Sequence, residues 1–348
     1  MPAKSAEADV RFTLLDKCKP PVCLIKGAPI AATDPQTGER IVFETGENLM
    51  VTSLELKRLL TQEDGRWMDN TRSNEEAGVF YFAFGDDPGR GDGFYLGFDA
   101  TKAFPTGEIK LTVRVFEGDP PGNDGTERTN GNPEIMPSAE LAWHYWNGNI
   151  WKPLRVDDGT VALTRSGRLR FDGPEDITKA TIGSTEQNFL TGSDETLYWI
   201  RASIKTPGYE IPPRIDTILL NTVSATHGET IRRENALGNG LPFQAIHLKH
   251  KPVLAGTLRL AILEEDDKWY KWKEVADFDA SGPEARHYAV DAHEGVIRFG
   301  DDVNGHIPPR TKKVDNIVII KYRTGGGEKG NVKAETITEV LDSKLEKK

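Results

Sequence analysis

Short runs of β-branched and aromatic residues, each closed by Gly, Pro, Asn or Asp, recur along almost the whole chain. The clearest is 109–116, IKLTVRVF, whose alternation puts Ile109, Leu111, Val113 and Val115 on one face. Others lie at 79–84, 196–204, 215–223, 257–263 and 316–322. This spacing predicts a mainly β chain, with several antiparallel β-sandwich or barrel-like domains and few short helices, rather than alternating β and α units. Helical spacing is confined to two places. Residues 53–61, SLELKRLLT, carry Leu54, Leu56, Leu59 and Leu60 behind Ser53 as an N-cap, and 335–348 is a second candidate.

A segment without periodic apolar residues, EGDPPGNDGTERTNGNPEIMP at 117–137, reads as a linker or loop. It divides the 348 residues into a mostly β N-terminal domain (1–116), a β domain with an aromatic hairpin (138–235) and a C-terminal β domain (236–348). The last two share an order of features. Trp151-Lys152-Pro153-Leu154 leads to Gly167-Arg168-Leu169-Arg170-Phe171 and on to an Ile-Pro-Pro-Arg at 211–214. Trp272-Lys273-Glu274-Val275 leads to Gly295-Val296-Ile297-Arg298-Phe299 and on to an Ile-Pro-Pro-Arg at 307–310. The C-terminal domain therefore reads as a duplicate of the preceding one, with an insertion near 172–207 in the first copy.

Charge and cysteine content narrow the function classes. The net charge is −10 with no long basic run, which argues against nucleic acid and anionic lipid as partners. Two cysteines, Cys18 and Cys23, are too few for a disulfide scaffold or a four-cysteine zinc site; they could bridge across the Pro20-Pro21 bend, but reduced thiols are expected. No apolar run has the length of a membrane span, and the N-terminus lacks a signal-peptide core. The chain is therefore expected to be soluble and cytoplasmic.

Several stretches imitate chemical motifs. In GVIRFGDDVNGHIPP (295–309), a calcium loop with Gly305 at its sixth position would start at Gly300 and end at Thr311, so its first and twelfth oxygen donors are missing. The stretch reads instead as a tight turn between strands, with Asn304-Gly305 supplying positive φ. Residues 325–330, GGGEKG, spell G-x-G-x-x-G, but 18 residues cannot complete a dinucleotide fold, and Asn331 stands where a P-loop needs Lys. A flexible glycine connection is expected there. Arg90-Gly91-Asp92 sits in a glycine-rich loop and reads as turn chemistry. His247 and His250 face opposite sides of an extended segment, with no third ligand near. The pattern offers no nucleophile elbow and no zincin helix. We expect no catalytic, cofactor-binding or metal residues.

The aromatic stretch 143–151 reads as a hairpin with a type I′ turn at Asn147-Gly148. Alternation places Trp143 and Tyr145 on one face and His144 and Trp146 on the other. One face would fill a core, and the other would cover it or meet a neighbouring protein.

Residues 295–309, followed by Lys321-Tyr322-Arg323-Thr324-Gly325-Gly326-Gly327 and Gly330-Asn331-Val332, resemble the baseplate J-like assembly proteins of phage tails and contractile injection systems. Those proteins carry I-R-F-G-D-G-x-x-G-x-x-P-P, a strand, then Y-R-x-G-G-G-x-x-G-N-V. Ile41-Val42-Phe43-Glu44-Thr45, Tyr95-Leu96-Gly97-Phe98, Tyr145-Trp146-Asn147-Gly148, Leu163-Thr164-Arg165-Ser166-Gly167 and Leu219-Leu220-Asn221-Thr222-Val223 are also similar to the larger baseplate assembly proteins. The likeness spans most of 40–335. Two departures stand out: Asp302 replaces the second Gly of G-D-G, and the chain ends 16 residues after Val332, where family members usually continue.

The resemblance implies a non-enzymatic wedge component with no cofactor, in a sixfold assembly with other wedge subunits, sheath, and spike or hub proteins. It also implies a place in an injection particle that can be released. The expected contact surface is Trp143, Tyr145, Trp146, Trp151, Asp301, Asp302 and Asn304, with loops 85–93 and 300–309. Two other readings compete. One is a carbohydrate-binding tail protein stacking sugars on Trp146 or Trp151, and the other a cell-wall glycosidase with an unassigned acid pair.

Overall fold

The computed structural model describes residues 5–15, 21–100, 103–116, 139–182, 195–311 and 315–341. The expected mainly β architecture is what it shows. Among these residues the strands form several sheets, nearly all antiparallel, and the one helix is a single 3-10 turn, Glu328–Gly330. The expected linker 117–137 lies outside the described residues.

The chain divides into two compact units, one of 1–10, 25–48 and 224–348, the other of 11–24 and 49–223. Each unit is assembled from segments far apart in sequence.

The second unit is a sandwich. One sheet has seven strands, ordered Trp151–Pro153, Glu140–Trp146, Leu197–Thr206, Gly93–Ala100, Leu54–Glu63 and Arg66–Asp69, with Lys179–Ala180 paired to Leu197–Thr206. The other has five: Asp157–Asp158, Gly167–Asp172, Glu108–Val115, Arg214–Leu220 and Tyr81–Phe82. Both contribute to one core, in which Phe94, Leu96 and Phe98 from the first sheet meet Ile109, Leu111 and Val113 from the second. Full burial of each such side chain stabilises the fold by about 1.5–3 kcal/mol.

In the first unit, two four-stranded sheets share a core built around Ile262, Tyr288, Ile297, Phe299, Ile317 and Tyr322. One is ordered Glu229–Ala236, Ile317–Thr324, Arg259–Leu263 and Trp269–Lys271, and the other Ala245–His247, Val296–Phe299, His287–Asp291 and Lys273–Glu274. Residues 269–274 pass from one to the other, because Trp269–Lys271 edges the first sheet and Lys273–Glu274 runs parallel to His287–Asp291 in the second.

Both helix expectations are corrected. Residues 53–61 lie in the ten-residue strand Leu54–Glu63. The pairing register slips between Leu56 and Arg58, and this bulge shifts the phase of the side chains. Leu59 then enters the main core, while Leu60 enters a second core on the opposite face. Burial on both faces removes the polar alternation of a half-exposed strand and leaves an apolar spacing that imitates a helix. At the C-terminus, Ile337–Val340 is a strand paired with Pro29–Thr33; residues 342–348 lie outside the described residues.

The two stretches read as copies pair differently. Trp151–Pro153 and Gly167–Asp172 lie in different sheets, whereas Lys273–Glu274 and Val296–Phe299 share one.

Candidate interaction surface

The loop at 300–309 joins Val296–Phe299 of one sheet to Ile317–Thr324 of another, so it is not the tight hairpin turn its composition suggested. Its polar groups bond inward. Asp301 Oδ1 accepts the backbone N–H groups of Val303 (3.0 Å) and Asn304 (2.7 Å). Those bonds, Asn304 foremost, hold the Asp301 carboxyl below the usual carboxylate range. Asp302 Oδ1 accepts the Ile307 N–H (2.7 Å) and lies 3.1 Å from His306 Nδ1.

The positive φ values fall at Asp302 (64°) and Gly305 (90°), not at Asn304. Asp302 therefore adopts the left-handed conformation, which Asp tolerates, and its carboxylate Oδ1 is spent locally. A Cβ on Gly300 would lie 2.2 Å from the Gly305 carbonyl oxygen, so the loop closes only on glycine. The N–H groups of Gly305 and His306 reach the carbonyls of Gly282 and Ala285, and the His306 ring stacks on Trp272 at 5.8 Å. Among the described residues, no cluster of three or more His, Cys, Asp or Glu could hold a metal ion.

Within the glycine run, Gly325, Gly326 and Gly330 are packed, whereas Gly327 is exposed with open space around it. Gly325, at φ 138°, lies so close to Gly228 that an added Cβ would be 2.7 Å from its Cα. The Gly326 N–H donates to His227 Nδ1 at 3.2 Å. Arg90-Gly91-Asp92 is also structural. Asp92 is buried, and its carboxylate accepts the N–H groups of Asp64 (3.1 Å) and Gly89 (2.7 Å). Cys23 is an exposed free thiol, and Cys18 lies outside the described residues.

The aromatic hairpin divides between two cores. Trp143 is only 8% exposed and belongs to the main core, so it is not a surface residue, and the half-buried Tyr145 packs against the same cluster. Trp146 and Trp151 lie on the outer face of the seven-stranded sheet, over a second cluster of Leu60, Tyr95, Leu197 and Trp199. The connection is a four-residue loop, 147–150, instead of a two-residue type I′ turn. Trp146 pairs with Trp151, and of the two expected turn residues only Gly148 has positive φ. Asn147 Oδ1 fixes the loop by accepting the N–H groups of Asn149 and Ile150.

Glycine shapes this face too. Trp199 lies across Gly97, its cross-strand partner, where a Cβ would come within 2.7 Å of the indole. The Trp199 Nε1–H donates to the Ala180 carbonyl at 2.7 Å.

Arg201 completes the patch. It stands between His144 and Tyr95 in register, and its guanidinium lies over the Trp151 ring at 4.4 Å. Its Nε is buried with no hydrogen-bond partner, and among the described residues the side chain has no carboxylate partner. Burial and the Arg201 charge hold the His144 imidazole below its ordinary pKa, so His144 is neutral near pH 7. Trp151 also meets Tyr95 edge-on at 5.7 Å and Trp146 at 5.5 Å, so its ring already has three neighbours. Sequence reading missed Arg201, Tyr95 and Trp199. The signal was alternation in LYWIRASIKT, which places Leu197, Trp199 and Arg201 on one face.

No family model and no curated protein matches this chain. Among solved structures, it is similar to a chain of the type VI secretion system TssK-TssF-TssG baseplate subcomplex, determined by cryo-electron microscopy. The identity is 10% and the TM-score 0.46, over 94% of this chain, which spans 60% of that solved chain.

Proposed function

We propose that this chain is a structural, non-enzymatic wedge component of the baseplate of a contractile injection or phage-tail-like particle. In this reading it joins hub, sheath and peripheral parts in a sixfold assembly and makes contacts instead of turning over substrate. The phrases at 295–309 and 321–332 support the family reading. The internal bonding of Asp301 and Asp302 supports the structural one, because one oxygen of each carboxylate holds the loop backbone.

The observation that carries the contact role is Arg201. A half-buried guanidinium stacked on Trp151, with no carboxylate partner among the described residues, is costly in a free chain and useful in an interface, where Trp, Tyr and Arg dominate binding energy. The partner would supply a carboxylate over the Trp151–Arg201 pair. The exposed tip 302–304, with Val303 67% exposed, is a second contact surface.

The test is co-sedimentation of the tagged chain with particles purified from producing cells. The native chain is expected to travel with the particle, and Arg201→Glu to lose at least about tenfold in incorporation while keeping its melting temperature. Turnover of peptidoglycan by the purified chain, or saccharide binding lost on Trp146→Ala, would overturn the reading.

A further inference from the structure

Arg232, Lys321 and Arg259 stand directly opposite one another on three adjacent strands: Arg232 pairs in register with Lys321, and Lys321 with Arg259. Like charges in such a row repel and destabilise a sheet. No carboxylate neutralises them among the described residues. Arg259 spends its Nη1 on the carbonyls of Gly256 and Leu258, and the nearby Glu44 is taken by Arg323 at 3.0 Å and by Thr230. The row lies between two adjoining concavities of about 410 and 960 Å³. Lys271 and Lys273 line the larger one beside a single half-buried carboxylate, Glu274, and among the described residues neither lysine has an ion-pair partner. In a chain of net charge −10 this is a segregated basic surface, gathered from residues far apart in sequence.

The larger concavity also offers backbone and apolar contact. The Tyr288 carbonyl accepts the Val275 N–H, so the alternation of the strand turns the backbone of Val290 toward the same edge, beyond the point where Lys273–Glu274 stops pairing. Ile320, 40% exposed, and Val290 contribute apolar lining. The aromatic rings there are buried: Trp272 is 4% and Tyr288 0% exposed. Bases therefore find no stacking platform, whereas an extended peptide finds a strand edge, apolar contacts and cations.

We infer that this basic cleft binds an extended, carboxylate-rich segment of a partner protein, with acidic side chains over the Arg232–Lys321–Arg259 row. The cost of the unpaired row in the free chain is offset on binding. This goes beyond the baseplate reading and does not rest on it, since it concerns the isolated chain.

The test titrates the full chain into a fluorescein-labelled peptide of sequence Glu-Val-Glu-Val-Glu-Val-Glu and follows anisotropy. Its controls are the Gln-Val analogue and an oligothymidylate of similar length. The acidic peptide is expected to bind with an affinity that falls with salt and about tenfold on Lys321→Gln, and further on Lys271→Glu with Lys273→Glu. These side chains are exposed, and Lys321→Gln is expected to keep or raise the melting temperature because it relieves the row. Equal binding of the Gln-Val peptide, equal or tighter binding of the oligothymidylate, or affinity unchanged in Lys321→Gln would overturn the inference. A fall in melting temperature on Lys321→Gln would contradict the repulsive row.

Discussion

In the loop at 300–309 both carboxylates bond to groups within five residues of themselves, whereas on the outer face of the seven-stranded sheet the Arg201 guanidinium lies over an indole with no carboxylate partner among the described residues. The first arrangement finishes its electrostatics inside the chain. It uses charge to hold backbone shape, much as an Asx turn does. The second leaves them unfinished, with a half-buried cation stacked on an aromatic ring and no carboxylate beside it among the described residues. The contrast separates charge that holds backbone from charge left available, although both stretches were candidate contact surfaces on sequence.

The largest expected effect lies under the Arg201 face. Trp199 is fully buried, and Trp199→Ala should cost about 3–5 kcal/mol in chemical denaturation. A cost under 1 kcal/mol would mean that the face has no rigid floor. Next comes the loop. Gly300→Ala drives a Cβ to 2.2 Å from a backbone oxygen, and overpacking of that kind should cost about 1–3 kcal/mol by the same measurement.

Asp302 sharpens the comparison further. Asp302→Ala loses the carboxylate bonds and keeps a left-handed backbone, so it should cost about 1–2 kcal/mol. Asp302→Gly loses the same bonds but relieves the backbone, and its melting temperature should lie between those of the native chain and Asp302→Ala. Equal melting temperatures for the two variants would show that the backbone conformation carries no cost.

The smallest effect is in pH. His144 titrates below its ordinary value because burial and Arg201 disfavour the imidazolium. The unfolded chain then takes the proton first, so stability is full above about pH 6.5 and falls as pH drops toward the folded value. Asp301 behaves differently. Its lowered pKa gives stability that is present above the ordinary carboxylate range near 3.9 and lost as pH falls through the folded value. Thermal melts of His144→Gln should flatten the upper window alone, and those of Asp301→Asn the lower alone.

The β class and the shared face of His144 and Trp146 were legible in the sequence because each depends on local spacing. What was not legible depends on contacts between distant segments. Leu54–Glu63 looked helical because two cores claim its two faces. Gly325, Gly326 and Gly330 looked flexible because their constraint, His227–Gly228, lies about a hundred residues upstream. Arg201 and the Arg232–Lys321–Arg259 row went unseen because strand register, not sequence proximity, assembles them.

Imaging of an intact particle at side-chain resolution tests the central claim most directly. The account predicts this chain in the baseplate, with the Trp151–Arg201 face buried against a neighbouring subunit and a carboxylate of that subunit within ion-pair distance of Arg201. A chain missing from the particle, or one present with that face open to solvent, would contradict it.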